Sequence, residues 1–511
     1  MLSSLIWIPV AGAIAIGLWP GEMANQRARQ LALLFAALAF AMSLAIAAQF
    51  DLSSAGIQFE EKVTWIAPLG LNYRLGIDGL ALPLLMLNTL LTGISVYSTK
   101  LSIPRPRLYY SLILLLAAVV AGAFTAQNLL LFFLFYEIEL IPLYLLIAIW
   151  GGKRRGYAAT KFLIYTALSG ILVLTGFLGL VWLGHSPSFD LADARANALP
   201  AGLQILLLSS ILLGFGIKTP VVPLHTWLPD AHVEASTPIS VLLAGVLLKL
   251  GTYGLLRFGV QLFPDVWPAI APWLAWIAVV CALYGAVIAI TQTDMKKMVA
   301  YSSIAHMGFI VLAVAAANPL SLLGATFQMV SHGLISALLF LLVGVVYAKT
   351  GTRDLRVLQG LLNPKRGLPV MGSLMILAAM ASSGIPGMSG FIAEFIVFRG
   401  SLPAFTLQTL LSMLGTGLTA VYFLILLNRA FFGRLSQQAL RIPSVLWRDR
   451  IPPLILAVLI VILGLQPNWV AHCIEATTTA MTPPKAIATA PPFEPANLVL
   501  LNPSPSPTSF D

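Results

Sequence analysis

Apolar stretches of about 18 residues or more recur along this whole chain, divided by short polar connectors, and that pattern removes most folds from consideration. A backbone that crosses hydrocarbon must satisfy every N–H and C=O internally, so only helices or a closed barrel can do it. Barrel strands would show alternation over about ten residues, and none is visible. Composition agrees, with 59% hydrophobic and 9% charged residues and a mean hydropathy of +0.92. The expected fold class is all-α: a polytopic membrane protein of about fourteen transmembrane helices. The spans fall near 2–19, 31–49, 79–98, 109–126, 128–150, 158–184, 203–218, 239–261, 272–292, 299–316, 320–348, 368–400, 404–432 and 451–470.

The net charge of +10 could suggest an anionic partner such as nucleic acid, but its distribution has a plainer cause. Alternate connectors are basic: Arg27/Arg29, Lys100/Arg105/Arg107, Lys153/Arg154/Arg155, Lys296/Lys297, Lys349/Arg353/Arg356/Lys365/Arg366 and Arg434/Arg441/Arg448/Arg450. These hold nineteen of the 29 Lys and Arg, whereas the opposite connectors and tail hold Lys62, Arg74, Arg195 and Lys485. The positive-inside rule then places both termini away from the cytoplasm, as an even span number requires. The lipid bilayer, not nucleic acid, is the expected surrounding. Two distant cysteines, Cys281 and Cys473, are too few for thiolate-bound iron–sulfur or structural zinc sites. Neither a cofactor nor a metal is expected in this chain. The first span lacks a small-residue cleavage site and reads as a mature helix.

Two spans are broken by glycine and proline. One runs Gly214-Phe215-Gly216-Ile217-Lys218-Thr219-Pro220 and on to Pro223, His225, Trp227, Pro229 and Asp230; the other runs from Gly384-Ile385-Pro386-Gly387 to Glu394. Unwound backbone at membrane depth is tolerated only against protein or a wet cavity, and paired breaks mark transporter sites. Five helices separate them, which suggests two inverted five-helix repeats. The expected segments are 1–108 (helices 1–3 with an external loop at 51–78), 109–261 and 272–432 (the two repeats), 433–480 (a C-terminal helix) and 481–511 (a proline-rich extended tail). A second external loop falls at 185–202.

Glu137, Lys218, Lys249 and Glu394 each interrupt an apolar span. A charge at mid-bilayer costs roughly 2.5–3.5 kcal/mol on insertion scales, so it normally faces a partner, water or an ion path. Two acids and two bases on separate spans suit a travelling proton; static ion pairs are the plain alternative. Glu137 and Glu139 are two residues apart, about 200° of helical rotation, so they face nearly opposite sides and cannot share a proton. One faces the interior and the other a neighbouring helix or subunit. Lys218 stands at a break, where helix-terminal carbonyls are its alternative partners. Glu394 could pair with Arg399, but a spacing of five is poor helical geometry. His306 and His332 lie within spans, as relays or as satisfied core groups. His225 and His232, beside Asp230 and Glu234, read better as loop architecture than as metal ligands. Lys161 is either a snorkelling anchor or a group on the proton access side, and Asp78 reads as a helix cap.

At these residues the chain resembles a known family. Phe-Tyr-Glu-Ile-Glu-Leu-Ile-Pro-Leu-Tyr (135–144), Gly-Ile-Lys-Thr-Pro-Val-Val-Pro-Leu-His-Thr-Trp-Leu-Pro-Asp-Ala-His (216–232) and Leu-Ala-Gly-Val-Leu-Leu-Lys-Leu-Gly-Thr-Tyr-Gly (243–254) carry the likeness, with Tyr-Ser-Ser-Ile-Ala-His-Met-Gly (301–308), Met-Val-Ser-His-Gly (329–333) and Gly-Phe-Ile-Ala-Glu-Phe (390–395). It is similar to the antiporter-like membrane subunits of complex I, in the chain-4 (M-type) branch of cyanobacteria and chloroplasts. The resemblance covers about residues 70–435. It implies a proton-translocating subunit in the membrane arm of an NAD(P)H- or ferredoxin–quinone oxidoreductase, beside other membrane-arm subunits including further antiporter-like chains. Quinone and NAD(P)H or ferredoxin would bind to those other subunits. By the same likeness Glu137 is the acid paired with Lys218, Lys249 the central lysine, Glu394 the terminal acid, and His306 and His332 the bridging histidines. Glu139, Lys161 and His225 are auxiliary candidates beside them. A thylakoid membrane, or a bacterial plasma membrane, is implied. The unmatched N-terminal spans and tail point to a specialised isoform, such as one coupled to carbon dioxide uptake. The rival readings are an Mrp-type sodium–proton antiporter subunit and a non-pumping structural subunit.

Overall fold

The computed structural model describes residues 1–194, 196–364, 367–434 and 442–482. Most of them are helical. The helices are α1 (Leu2–Gly17), α2 (Asn25–Gln49), α3 (Ala81–Ser98), α4 (Pro106–Thr125), α5 (Leu129–Ile138), α6 (Leu140–Trp150), α7 (Arg155–Leu183), α8 (Ala201–Lys218) and α9 (Trp227–Glu234). One span then runs without interruption through α10 (Thr237–Leu242), a π-helical turn (Leu243–Leu247), α11 (Leu248–Gly254) and a second π-helical turn (Leu255–Val260). There follow α12 (Trp267–Thr291), α13 (Met295–Ala316), α14 (Pro319–Thr350), α15 (Pro369–Ser382), α16 (Ser389–Ser401), α17 (Thr406–Ala430), α18 (Trp447–Leu465) and α19 (Asn468–Met481).

Their starts are written in the sequence. The Asn128 side chain accepts from the Leu130 and Leu131 N–H groups, Asp294 from Lys296 and Lys297, and Asn318 from Ser321. Asp78 takes the Leu80 and Ala81 N–H groups, both at 3.1 Å, as the cap expected of it. Among the described residues eleven helices, with Leu129–Trp150 and Thr237–Val260 each taken as one, are long and apolar enough to cross a membrane; the pair α18 and α19, bent by 66°, makes a twelfth. That is fewer than the expected fourteen. With 16 residues α1 is short, and the stretch expected as one span at 368–400 is cut into α15 and α16.

The span Thr237–Val260 is wholly enclosed by other helices, and α13 and α14 nearly so. By contrast α2, α7 and α17 turn large apolar faces outward, among them Leu34, Ile164, Ile171, Leu414 and Leu424. Those faces are what hydrocarbon would cover.

The two expected external loops close into one cap. An antiparallel hairpin of β1 (Gln58–Ile66) and β2 (Leu71–Ile77) leans on the loop that carries Asp190. Asp190 is fully buried; it meets Lys62 at 3.0 Å and Arg74 at 3.1 Å, and accepts from Asn128 at 2.8 Å and from Asn72 at 3.1 Å. Burial alone would raise its pKa, but the bonds from Asn128, Lys62 and Asn72 and the Lys62 charge overcome this and hold the carboxyl below its ordinary 3.8. At the other end of the bundle, Arg353 ties the basic connectors together through Asp294 at 3.0 Å and the Val233 carbonyl at 3.0 Å. Of the proline-rich tail expected at 481–511, residues 483–511 lie outside the described residues.

Candidate proton-transfer site

The first cluster forms where α5 meets α6. Phe132, Tyr136, Glu139 and Leu143 recur at helical spacing and are all buried, so this stripe faces inward and Glu137 falls off it. Lys218, at the last turn of α8, forms its ion pair with Glu139, and its ammonium lies 4.8 Å from the centre of the Tyr136 ring. The resemblance had paired this lysine with Glu137. In the structure the buried stripe sets Glu139 against Lys218 and turns Glu137 toward α7. Glu137 is half-buried against Gly170 of α7, where a β-carbon would collide with its carboxylate, and its Oε1 has no hydrogen-bond partner among the described residues.

The break after Lys218 is firmly held. Trp227 Nε1 donates to the Ile217 carbonyl at 2.9 Å, satisfying a helix-terminal acceptor. Gly251 lets α11 approach closely, since a β-carbon there would lie 2.7 Å from the Thr219 nitrogen. This contact joins the Lys218 break to the helix of Lys249.

Lys249 sits between the two π-helical turns and is wholly buried. In the first turn the Leu248 N–H bonds to Leu243 O, five residues back, which relieves Ala244 O of its ordinary α-helical donor. Lys249 Nζ donates to that freed Ala244 carbonyl at 2.5 Å and lies 2.8 Å from His332 Nδ1 on α14. His332 in turn faces His306 of α13, with ring centres 5.6 Å apart. His306 Nδ1 lies 3.4 Å from Glu394 Oε1, and its Nε2 is 3.0 Å from Ser382 Oγ.

Glu394, on α16, is set by the second break. The chain turns through Gly384 (φ +67°) and Gly387 (φ +89°), left-handed backbone that glycine adopts freely. The carboxylate lies directly against this turn and accepts from Thr416 at 2.8 Å. Arg399 is exposed, so Glu394 faces the histidine and not that arginine. Lys249, His332, His306 and Glu394 thus form one line across α11, α14, α13 and α16.

On the basic side a cavity of ≈ 320 Å³ is lined by Arg154, Tyr157, Asp230, Glu234, Asp294 and Lys297, among others. Lys161 borders it, paired with Asp230 at 2.8 Å. His225 is buried against Tyr284, with ring centres 5.1 Å apart, and His232 stacks on Phe340 at 4.4 Å. Among the described residues no group of three or more His, Cys, Asp and Glu is placed to hold a metal. Two buried cations escape sequence reasoning. Lys296 sits in a basic connector yet buries its ammonium on the Ala235 carbonyl at 2.5 Å. Arg257, in the second π-helical turn, meets Asp78 at 2.6 Å with both side chains about 2% exposed. Arg257 had a visible signal, a guanidinium inside an apolar span; Lys296 had none.

A family model described as NADH:quinone oxidoreductase/Mrp antiporter, TM, matches residues 126–419. The NAD(P)H-quinone oxidoreductase chain 4 1 of Synechococcus elongatus is 41% identical over 489 residues, which cover 94% of this chain and 91% of that one. Its namesake in Nostoc is 40% identical over 488 residues, covering 93% and 90%. A chain of respiratory complex I from Thermus thermophilus superposes with a TM-score of 0.86 at 26% identity, covering 96% of this chain and 100% of that one. A chain of the Mrp complex from Dietzia superposes at 0.84 with 20% identity, covering 95% and 98%, a likeness of fold alone.

Proposed function

The chain belongs to the NADH:quinone oxidoreductase/Mrp antiporter transmembrane family, and on that footing we propose that it is the antiporter-like, proton-translocating subunit of a quinone-reducing membrane complex. Its proton line would run from the Glu137/Glu139–Lys218 cluster through Lys249, His332 and His306 to Glu394. What supports this reading is the succession of Lys249, His332, His306 and Glu394 on four separate helices of the enclosed core. Separating Glu139 from Lys218 would strand an ammonium in a dry site and push its proton onward, toward the helix of Lys249. Lys161 and Asp230, beside the basic-side cavity, stand where protons would arrive. Quinone and the NAD(P)H or ferredoxin donor would bind to neighbouring subunits, in a thylakoid or plasma membrane. In the same proposal α1, the pair α15 and α16, and α18 complete fourteen crossings, with inverted five-helix repeats over 109–261 and 272–432.

The test uses the whole complex, purified through this chain and reconstituted in vesicles. Lys249→Ala and Glu394→Gln should leave assembly and donor binding intact and abolish proton uptake coupled to quinone reduction. Undiminished pumping in either variant sinks the proposed line. The chains that co-purify decide against an Mrp-type assembly, which would bring no quinone-reducing partners, and would reveal a carbon dioxide-hydrating module if this is such an isoform.

A further inference from the structure

The line described above is interrupted at its middle. His332 Nδ1 is engaged by Lys249, so only Nε2 can continue it. His306 Nε2 is engaged by Ser382, and its Nδ1 has no hydrogen-bond partner among the described residues. The rings, with centres 5.6 Å apart and tilted by 47°, share no direct hydrogen bond. A proton cannot cross such a gap without a small polar carrier.

The space for one exists. His306, Gln328, His332, Ser382, Gly390 and Glu394 surround a cavity with ≈ 10 Å³ open to the centre of a water-sized sphere. That is about the least that lodges one water molecule. Gly390 keeps it small by letting α16 close on α15, where a β-carbon would strike the Ala381 carbonyl. Gln328 precedes His332 by one turn on α14, so both share the face toward this cavity. Its side chain is 2% exposed, and its Oε1 has no hydrogen-bond partner among the described residues. Buried amide oxygens are normally satisfied, and the cavity Gln328 lines offers a water for the purpose.

We propose that Gln328 is a positioning residue that holds one water molecule between His332 and His306. The amide oxygen accepts one O–H of that water but cannot take up a proton itself, so it fixes orientation without becoming a trap. Transfer breaks the N–H at His332 Nε2 and forms an O–H on the water. The water's other O–H breaks as an N–H forms at His306 Nδ1, beside Glu394. One positive charge moves, and rotation of the water resets the site.

The inference rests on the proton line proposed above, so Lys249→Ala in the intact complex is its control. Gln328→Met, nearly isosteric and without the amide, should lower coupled proton uptake about tenfold, less than the roughly 10²–10⁴-fold lost with a group that itself transfers the proton. Its residual rate should also show a larger H2O/D2O ratio than the native complex, since proton transfer becomes limiting. Native pumping in Gln328→Met overturns the inference while leaving the line intact, provided Lys249→Ala is inactive. An unchanged isotope ratio in an assembled Gln328→Met complex reduces Gln328 to packing and overturns it equally. Should Gln328→Met fail to assemble, the isotope ratio of Gln328→Asn, whose shorter side chain withdraws the acceptor, decides the same question.

Discussion

At the scale of single residues, the pairing of Lys218 is the sharpest outcome. Replacing Glu139 by Gln leaves a buried ammonium without its counter-charge, an uncompensated charge that costs about 3–5 kcal/mol. The expected result is a lower membrane yield and a lower Tm for Glu139→Gln, with both nearly unchanged for Glu137→Gln, measured on the detergent-solubilised complex. Equal losses would show that Lys218 uses the two acids alike. The sequence showed that the acids diverge but not which one turns inward. Phe132, Tyr136 and Leu143 mark the inner stripe only once burial is known, because the outer faces of α5 and α6 are just as apolar. The histidines were legible as residues inside spans, whereas the order Lys249, His332, His306, Glu394 depends on how four helices pack and has no local signal.

Elements carry the next level. Both breaks were readable, because glycine and proline within an apolar run leave few other outcomes. What they hold in place was less so. At Gly384 a β-carbon would meet Glu394 Oε2 at 3.0 Å and Thr416 at 3.4 Å, in a left-handed conformation that costs a non-glycine residue roughly 1–2 kcal/mol. Gly384→Ala should therefore displace the carboxylate and reduce coupled proton uptake several-fold, whereas Gly417→Ala, with open space around it, should not. Proton uptake in vesicles at matched protein content reads the difference. The π-helical turns were not foreseeable: Leu243–Leu247 reads as an ordinary buried helix, and Arg257 in Leu255–Val260 signals a buried charge, not a change of helix type.

For the molecule as a whole, the membrane class and the alternation of basic connectors followed from composition, while the joining of two distant external loops over Asp190 did not. That joint has a pH signature. The folded pKa of Asp190 lies below 3.8, so its stabilising contribution is complete above the unfolded value and is lost as pH falls through the folded one. Amide protection factors in residues 58–77, taken against the unfolded-chain rate at each pH, should be steady at neutral pH and fall only below about pH 4. Asp190→Asn should lower them already at pH 7, consistent with the loss of about 1–3 kcal/mol from a buried hydrogen-bonded group.

The two π-helical turns also have a bearing on how this protein could move. Each stores one surplus residue in a helix that every neighbour grips, and passing that surplus along the chain would swivel the intervening segment by about 100° per residue. Lys249 would be re-aimed from His332 toward another quadrant of the bundle while both ends of its helix stayed anchored. A molecule built in this way can throw a switch at its axis without rocking any of its walls.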